Sequence, residues 1–61
     1  MYFKDVDIIR VYDVTGDEFY KITDHYNGEE LSQSRHRITA IEKAARKNWQ
    51  IIEFKDEKYN D

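Results

Sequence analysis

The chain has no cysteine and no proline, and only two glycines among its 61 residues. Without cysteine there is no disulfide, no zinc-thiolate site and no thiol nucleophile. A secreted mini-domain of this size would lack its usual staples, so a reducing, cytoplasmic setting is expected. Gly16 and Gly28 each fall in a turn signal, which leaves no glycine-rich loop to cradle a phosphate. No apolar run approaches the roughly 18 residues that a membrane span needs, and Met1-Tyr2-Phe3-Lys4-Asp5 lacks the basic-then-apolar order of a signal peptide. A chain this short buries only about 60% of the surface its unfolded form exposes, so a deep cavity is not expected. One domain over residues 1–61 is expected, ordered over about 5–55, with a frayed tail at 56–61.

What is present points to a folded but polar molecule. Charged residues make up 38% and the mean hydropathy is -0.97, yet seven isoleucines and 15% aromatics are too many for a typical disordered chain. The net charge of -3 is unevenly spread. Residues 1–30 carry three basic against eight acidic side chains, a balance of -5; residues 31–50 carry five basic against one acidic, a balance of +4. The remaining residues, with two basic against four acidic, carry -2. An electrostatically two-sided molecule follows from this order.

The stretch from Thr39 to Phe54 organises the rest. Thr39-Ala40-Ile41-Glu42 fits a capping box, which predicts a helix starting near Ala40 with Ile41, Ala44 and Ala45 as its apolar stripe and Glu42, Lys43, Arg46 and Lys47 opposite. Asn48 suits a left-handed C-terminal cap, and Trp49-Gln50-Ile51-Ile52-Glu53-Phe54 has the content of a strand.

Upstream, three strands are predicted. Val6 to Val14 is rich in β-branched and aromatic residues, Glu18 to Tyr26 forms the return strand, and a third runs from Glu29 to about Arg37. Asn27-Gly28 signals a type I′ hairpin, and Gly16 suits a type II′ turn. With two-residue loops, Ile22 opposes Gln33 and Val11, and Ile9 and Val11 point inward while Arg10 and Tyr12 point outward. A type I turn over Asp13 to Gly16 with a bulge would instead send Ile8, Arg10 and Tyr12 inward. The predicted core is Ile9, Val11, Tyr20, Ile22, Leu31, Ile38, Ile41, Ala44, Ala45 and part of Trp49 to Phe54. The fold class is therefore α+β, in the order β-β-β-α-β. It is a three-stranded antiparallel meander with one helix on one face and a C-terminal strand parallel to the first, in spatial order 3-2-1-4. In the alternative, the last strand packs across the helix without joining the sheet.

The residues carry little chemistry. His25 and His36 are the only imidazoles and are offset on neighbouring strands, too few to hold a metal on an open sheet face even with Asp24, Glu29 and Glu30 nearby. Ser32 and Ser34 lie close to His36, but no carboxylate orients that base toward a nucleophile. No catalytic residue, cofactor or metal is expected. Two binding readings follow. In the first, the chain is a non-enzymatic protein-binding module, a regulator or inhibitor of the kind phages and mobile elements encode as short free-standing chains. It occupies a partner protein's surface with the acidic hairpin residues Asp13, Asp17 and Glu18. In the second, the sheet binds nucleic acid with Arg35, His36, Arg37, Lys43, Arg46 and Lys47 on phosphates, against which stand the pI of about 5.3 and the acidic first strands. The third strand, with Ser32-Gln33-Ser34 and no proline, is the expected edge for a weak homodimer.

Overall fold

The computed structural model describes residues 1–59. Strands β1 (Lys4–Tyr12), β2 (Glu18–Asp24) and β3 (Glu30–Ser34) are followed by helix α1 (Arg37–Arg46) and strand β4 (Trp49–Lys58). They form one sheet in the order β3-β2-β1-β4, antiparallel except for β1 with β4, which run parallel. The α+β topology is the one the residue pattern predicts. The last strand joins the sheet and runs farther than expected: Lys55 to Lys58 continue β4, and the Tyr59 N–H donates to the Tyr12 carbonyl at 2.6 Å. The last two residues of the expected tail lie outside the described residues.

Register is where expectation and structure part. At the first hairpin the Gly16 N–H donates to the Asp13 carbonyl at 3.2 Å and the Asp13 N–H to the Asp17 carbonyl at 3.1 Å, with Gly16 at φ 91°. This is the turn over Asp13 to Gly16 with a bulge rather than the two-residue loop, and it sets Ile8 opposite Ile22 and Arg10 opposite Tyr20. Val6 and Ile8 therefore face the helix, while Ile9 and Val11 lie on the other face. The second hairpin is not type I′ either. Gly28 has φ 75°, but Asn27 stays at negative φ, and the Gly28 N–H closes a wider turn on the Asp24 carbonyl at 3.0 Å. Ile22 consequently pairs with Ser32, and a register shift between Ile22 and Thr23 makes Leu31 the extra residue of β3. The bulge still directs Leu31 at the core, as its apolar character demands.

The helix also starts earlier than the capping box suggests. Its N-cap is His36, without a side-chain cap bond, and Thr39 sits inside the first turn. That phase brings Ala40 to zero exposure against Val6, Ile8 and Ile22, and Ala44, one turn on, is fully buried as well. Ile41, Tyr20, Trp49 and Ile51 pack around them half-buried, whereas Ile38 and Ala45 turn to solvent. Two alanines let the helix sit close on the sheet, and that fit fixes where it begins more firmly than a cap worth about 1 kcal/mol. The helix ends as predicted, with Asn48 at φ 58° and its N–H on the Ala45 carbonyl at 3.1 Å. The Asn48 side chain also donates to the Met1 carbonyl at 2.6 Å, tying the N-terminus to the helix end.

Two substitutions test this arrangement. Ile8→Ala should cost about 2–5 kcal/mol, enough to unfold much of so small a domain, and Ile9→Ala distinctly less; urea unfolding reads both. Thr39→Ala should change stability by no more than about 0.5 kcal/mol, since no cap is lost and Ala is the better helix former.

Candidate functional site

The helix covers one face of the sheet, and the opposite face lies open. By register that face carries Asp5, Asp7, Ile9 and Val11 from β1, Phe19, Lys21 and Thr23 from β2, and Glu53, Lys55 and Glu57 from β4. Long side chains protect its centre. Lys21 pairs with Glu57 at 3.3 Å, and the Asp7 carboxylate, only 3% exposed, takes His25 Nδ1 at 2.8 Å and Lys55 Nζ at 3.3 Å. Lys55 also reaches Glu53 at 3.3 Å, and these two carboxylates, Asp7 foremost, hold its ammonium above the ordinary lysine pKa.

This cluster escaped the sequence reading. Its signal is Asp7, a charge inside the apolar run Val6 to Val11, which the correct hairpin register sets opposite Thr23 and near His25. Ligand atoms of Asp7, His25 and Glu53 lie within 4.8 Å of one another, a spacing suited to a metal ion. Lys55 Nζ, however, already supplies the positive charge between the two carboxylates. The Asp7–His25 pair also has the form of a base and its orienting acid, but no described hydrogen bond joins His25 to a hydroxyl. The cluster pins the second turn and β4 to the central strand.

The acidic hairpin residues Asp13, Asp17 and Glu18 all line one cleft, and two of them are also engaged within the molecule. Asp13 Oδ1 accepts from the Thr15 N–H at 2.9 Å, the Thr15 hydroxyl at 2.6 Å and the Asp17 N–H at 3.1 Å. Its carboxylate is held below the ordinary range, chiefly by the Thr15 hydroxyl, and that charge serves the turn. Glu18 points to the helix side and pairs with Arg10, which also lies 3.7 Å from Asp56 and 4.6 Å over the Tyr12 ring. The Glu18 hydrogen bond is the main cause of a raised Arg10 pKa. Among the described ion pairs, Asp17 takes part in none.

At the end of the first hairpin, Val11 and Phe19 line a shallow cleft of about 440 Å³ together with Tyr12, Asp13, Asp17, Glu18, Arg35 and Tyr59. Turn chemistry at Asp13 and the continuation of β4 to Tyr59 bring these residues together; strand propensity alone does not reveal it.

The basic residues split three ways. Lys43 Nζ donates to the Ser32 hydroxyl at 3.2 Å and the Gln33 carbonyl at 2.7 Å, fastening the helix to β3, and the Arg37 guanidinium lies 4.4 Å over the Phe54 ring. Arg35 and His36 stand exposed before the helix, while Arg46 and Lys47 stand exposed at its far end, roughly 15 Å away. No described ion pair involves a basic side chain of residues 35–47, so the positive segment is not neutralised by the acidic strands. Comparisons with protein-family models, curated proteins and solved structures returned no match. No helix among the described residues is long and apolar enough to cross a membrane.

The two turn aspartates predict acid sensitivity. Asp24 Oδ1 accepts from the Tyr26 and Asn27 N–H groups at 2.9 and 3.1 Å, and these bonds, Asn27 first, hold it below its usual pKa as the Thr15 contacts hold Asp13. Lowered folded values mean stabilisation that is present above the unfolded carboxylate pKa near 3.8 and is lost as pH falls through the folded values. Thermal melts taken from about pH 5 downward should show the loss, and Asp13→Asn with Asp24→Asn should flatten it.

Proposed function

We propose that this chain is a small non-enzymatic protein-binding module, a regulator or inhibitor that acts by occupying a partner's surface through the cleft at the tip of the first hairpin. The observation that supports this reading is the composition of the cleft. The apolar side chains of Val11 and Phe19 line it with three carboxylates, Asp13, Asp17 and Glu18, against the single cation Arg35, and the half-exposed Tyr59 stands alongside. Such a cleft suits a lysine or arginine of the partner, whose aliphatic stem lies on Val11 and Phe19 while its charged head meets Asp17. Val14, 79% exposed at the turn, adds an apolar contact beside it. Nucleic-acid binding draws less support. Lys43 and Arg37 are engaged within the molecule, and the open sheet face that would enter a groove carries Asp5, Asp7, Glu53 and Glu57 against Lys21 and Lys55.

Affinity capture from a cell lysate at low and high salt, with nuclease treatment in parallel, tests this reading. A captured protein should survive nuclease, and Asp17→Lys should weaken its capture while leaving the melting temperature within a few degrees, since Asp17 has no described ion pair to lose. For a purified partner the loss should fall mainly on the association rate. Capture that nuclease abolishes, or that Arg46→Glu with Lys47→Glu abolishes while Asp17→Lys does not, would replace this reading with the nucleic-acid one.

A further inference from the structure

We propose that the free edge of β4 receives a second copy of this chain, antiparallel, in the single register that places Phe54 opposite itself. Of the two sheet edges, β3 has five residues and Lys43 occupies its Gln33 carbonyl. β4 has ten, about 33 Å of strand at the usual rise, and every residue from Ile52 to Lys58 is exposed.

Symmetry and charge select the register. Two identical antiparallel strands are related by a two-fold axis perpendicular to the sheet, so each residue keeps its face in both copies. Directly opposed residues in an antiparallel ladder also share a face, and only residues of equal parity can oppose each other. Some residue must therefore lie on the axis, facing its own copy. β4 has a register shift beside Ile52, where one extra residue opposes the step from Val6 to Asp7, so regular pairing is available from Glu53 onward. In Glu53-Phe54-Lys55-Asp56-Glu57-Lys58 every residue except Phe54 is charged, and any charged residue on the axis would oppose its like. With Phe54 on the axis, Glu53 of each copy meets Lys55 of the other. The two Phe54 rings, each 50% exposed and backed by its own Arg37, meet on the helix side. Charges commonly guard an edge against pairing. Here their signs are opposite on the two sides of one aromatic residue, so the guard excludes the neighbouring registers and admits this one. The regular ladder is short, so the dimer is weak and depends on concentration and salt.

Because the chain has no cysteine, single thiols report the register directly. The Cα atoms of an axial pair stand about 4.5–5.5 Å apart, within the roughly 4.4–6.8 Å that a disulfide spans. Under mild oxidation Phe54→Cys should cross-link roughly tenfold faster than Gln33→Cys on the β3 edge. Glu53→Cys and Lys55→Cys should each cross-link poorly alone and should form the mixed disulfide when combined, which reads the same register should Phe54→Cys fold poorly. Wild-type sedimentation from micromolar to millimolar concentration should show a monomer–dimer equilibrium that shifts toward monomer in high salt. A chain that stays monomeric at millimolar concentration overturns the proposal. So does preferential cross-linking at Gln33→Cys, or a mixture of Glu53→Cys and Lys55→Cys that links no better than either alone.

Discussion

The structure depends on one contact, the seating of Ala40 on Val6, Ile8 and Ile22. All of these side chains are essentially excluded from solvent, and at about 25 cal/mol per Å² such burial is the largest favourable contribution a domain this small can assemble. It also determines the rest of the molecule. A single ten-residue helix has one face to offer, so only one side of the sheet can be covered. The far ends of β1 and β2, with Arg10, Tyr12 and Glu18, project beyond the helix and pair among themselves. The other side of the sheet has no helix at all. There the aliphatic centre at Ile9 and Val11 is shielded by lysine stems and by the network joining Asp7, His25, Lys55 and Glu53, in which burying the Asp7 charge is tolerable because two partners meet it.

Which strand residues reach that contact is decided in the two turns. A hairpin loop that gains one residue exchanges the faces of the whole strand. Asp13 makes that choice at the first hairpin, where its carboxylate collects three donors and stabilises the longer turn. Asp24 does the same at the second, and by holding the Tyr26 and Asn27 N–H groups it outweighs the preference of Asn27-Gly28 for a two-residue loop. Both aspartates are visible in the sequence at the position before the turn, so their capping was available to a reader who weighed side-chain acceptors against the dipeptide signal. Ile8 and Ile9 are adjacent and equally apolar, which is why the alternation itself could not choose between the faces.

Element order, strand count and the parallel return of β4 were legible because each rests on several agreeing signals: two glycine turns, a helical apolar stripe of Ile41, Ala44 and Ala45, and Asn48 followed by a strand-forming run from Trp49 to Phe54. The helix start was not. Thr39 and Glu42 form a persuasive local pattern, but placing Ala40 inward buries more than a cap returns, and tertiary fit prevailed over capping. The end of β4 was misjudged for a related reason. Lys55 to Lys58 look like a solvated tail when read alone, yet each has a partner position on β1, and Lys55 and Glu57 find counter-charges across the sheet. Cross-strand partners far apart in sequence are invisible to a local reading, and the Asp7 cluster and the hairpin cleft were both built from them.

Charge follows the same logic and bears directly on function. Each basic residue of the first two strands is ion-paired: Lys4 with Asp24, Arg10 with Glu18, and Lys21 with Glu57. Several of the acidic residues there are also engaged, Asp13 and Asp24 in turns and Asp5 with the Tyr26 hydroxyl. The segment charge of -5 therefore overstates what an approaching molecule meets at the hairpin, whereas the +4 of residues 31–50 is not neutralised, since Lys43 and Arg37 are held by neutral groups. Among the described residues, Asp17 and Arg35 take part in no described ion pair and both line the aromatic cleft, whereas Arg46 and Lys47 stand exposed at the far end of the helix. A single acidic side chain supported by Val11, Phe19 and Tyr59 can select a partner by shape and apolar contact as well as by sign. The two neighbouring cations Arg46 and Lys47, without such a wall, offer attraction that is weakly directed and readily screened by salt. The hairpin end thus has the greater capacity for specificity, although the far end of the helix carries more free charge.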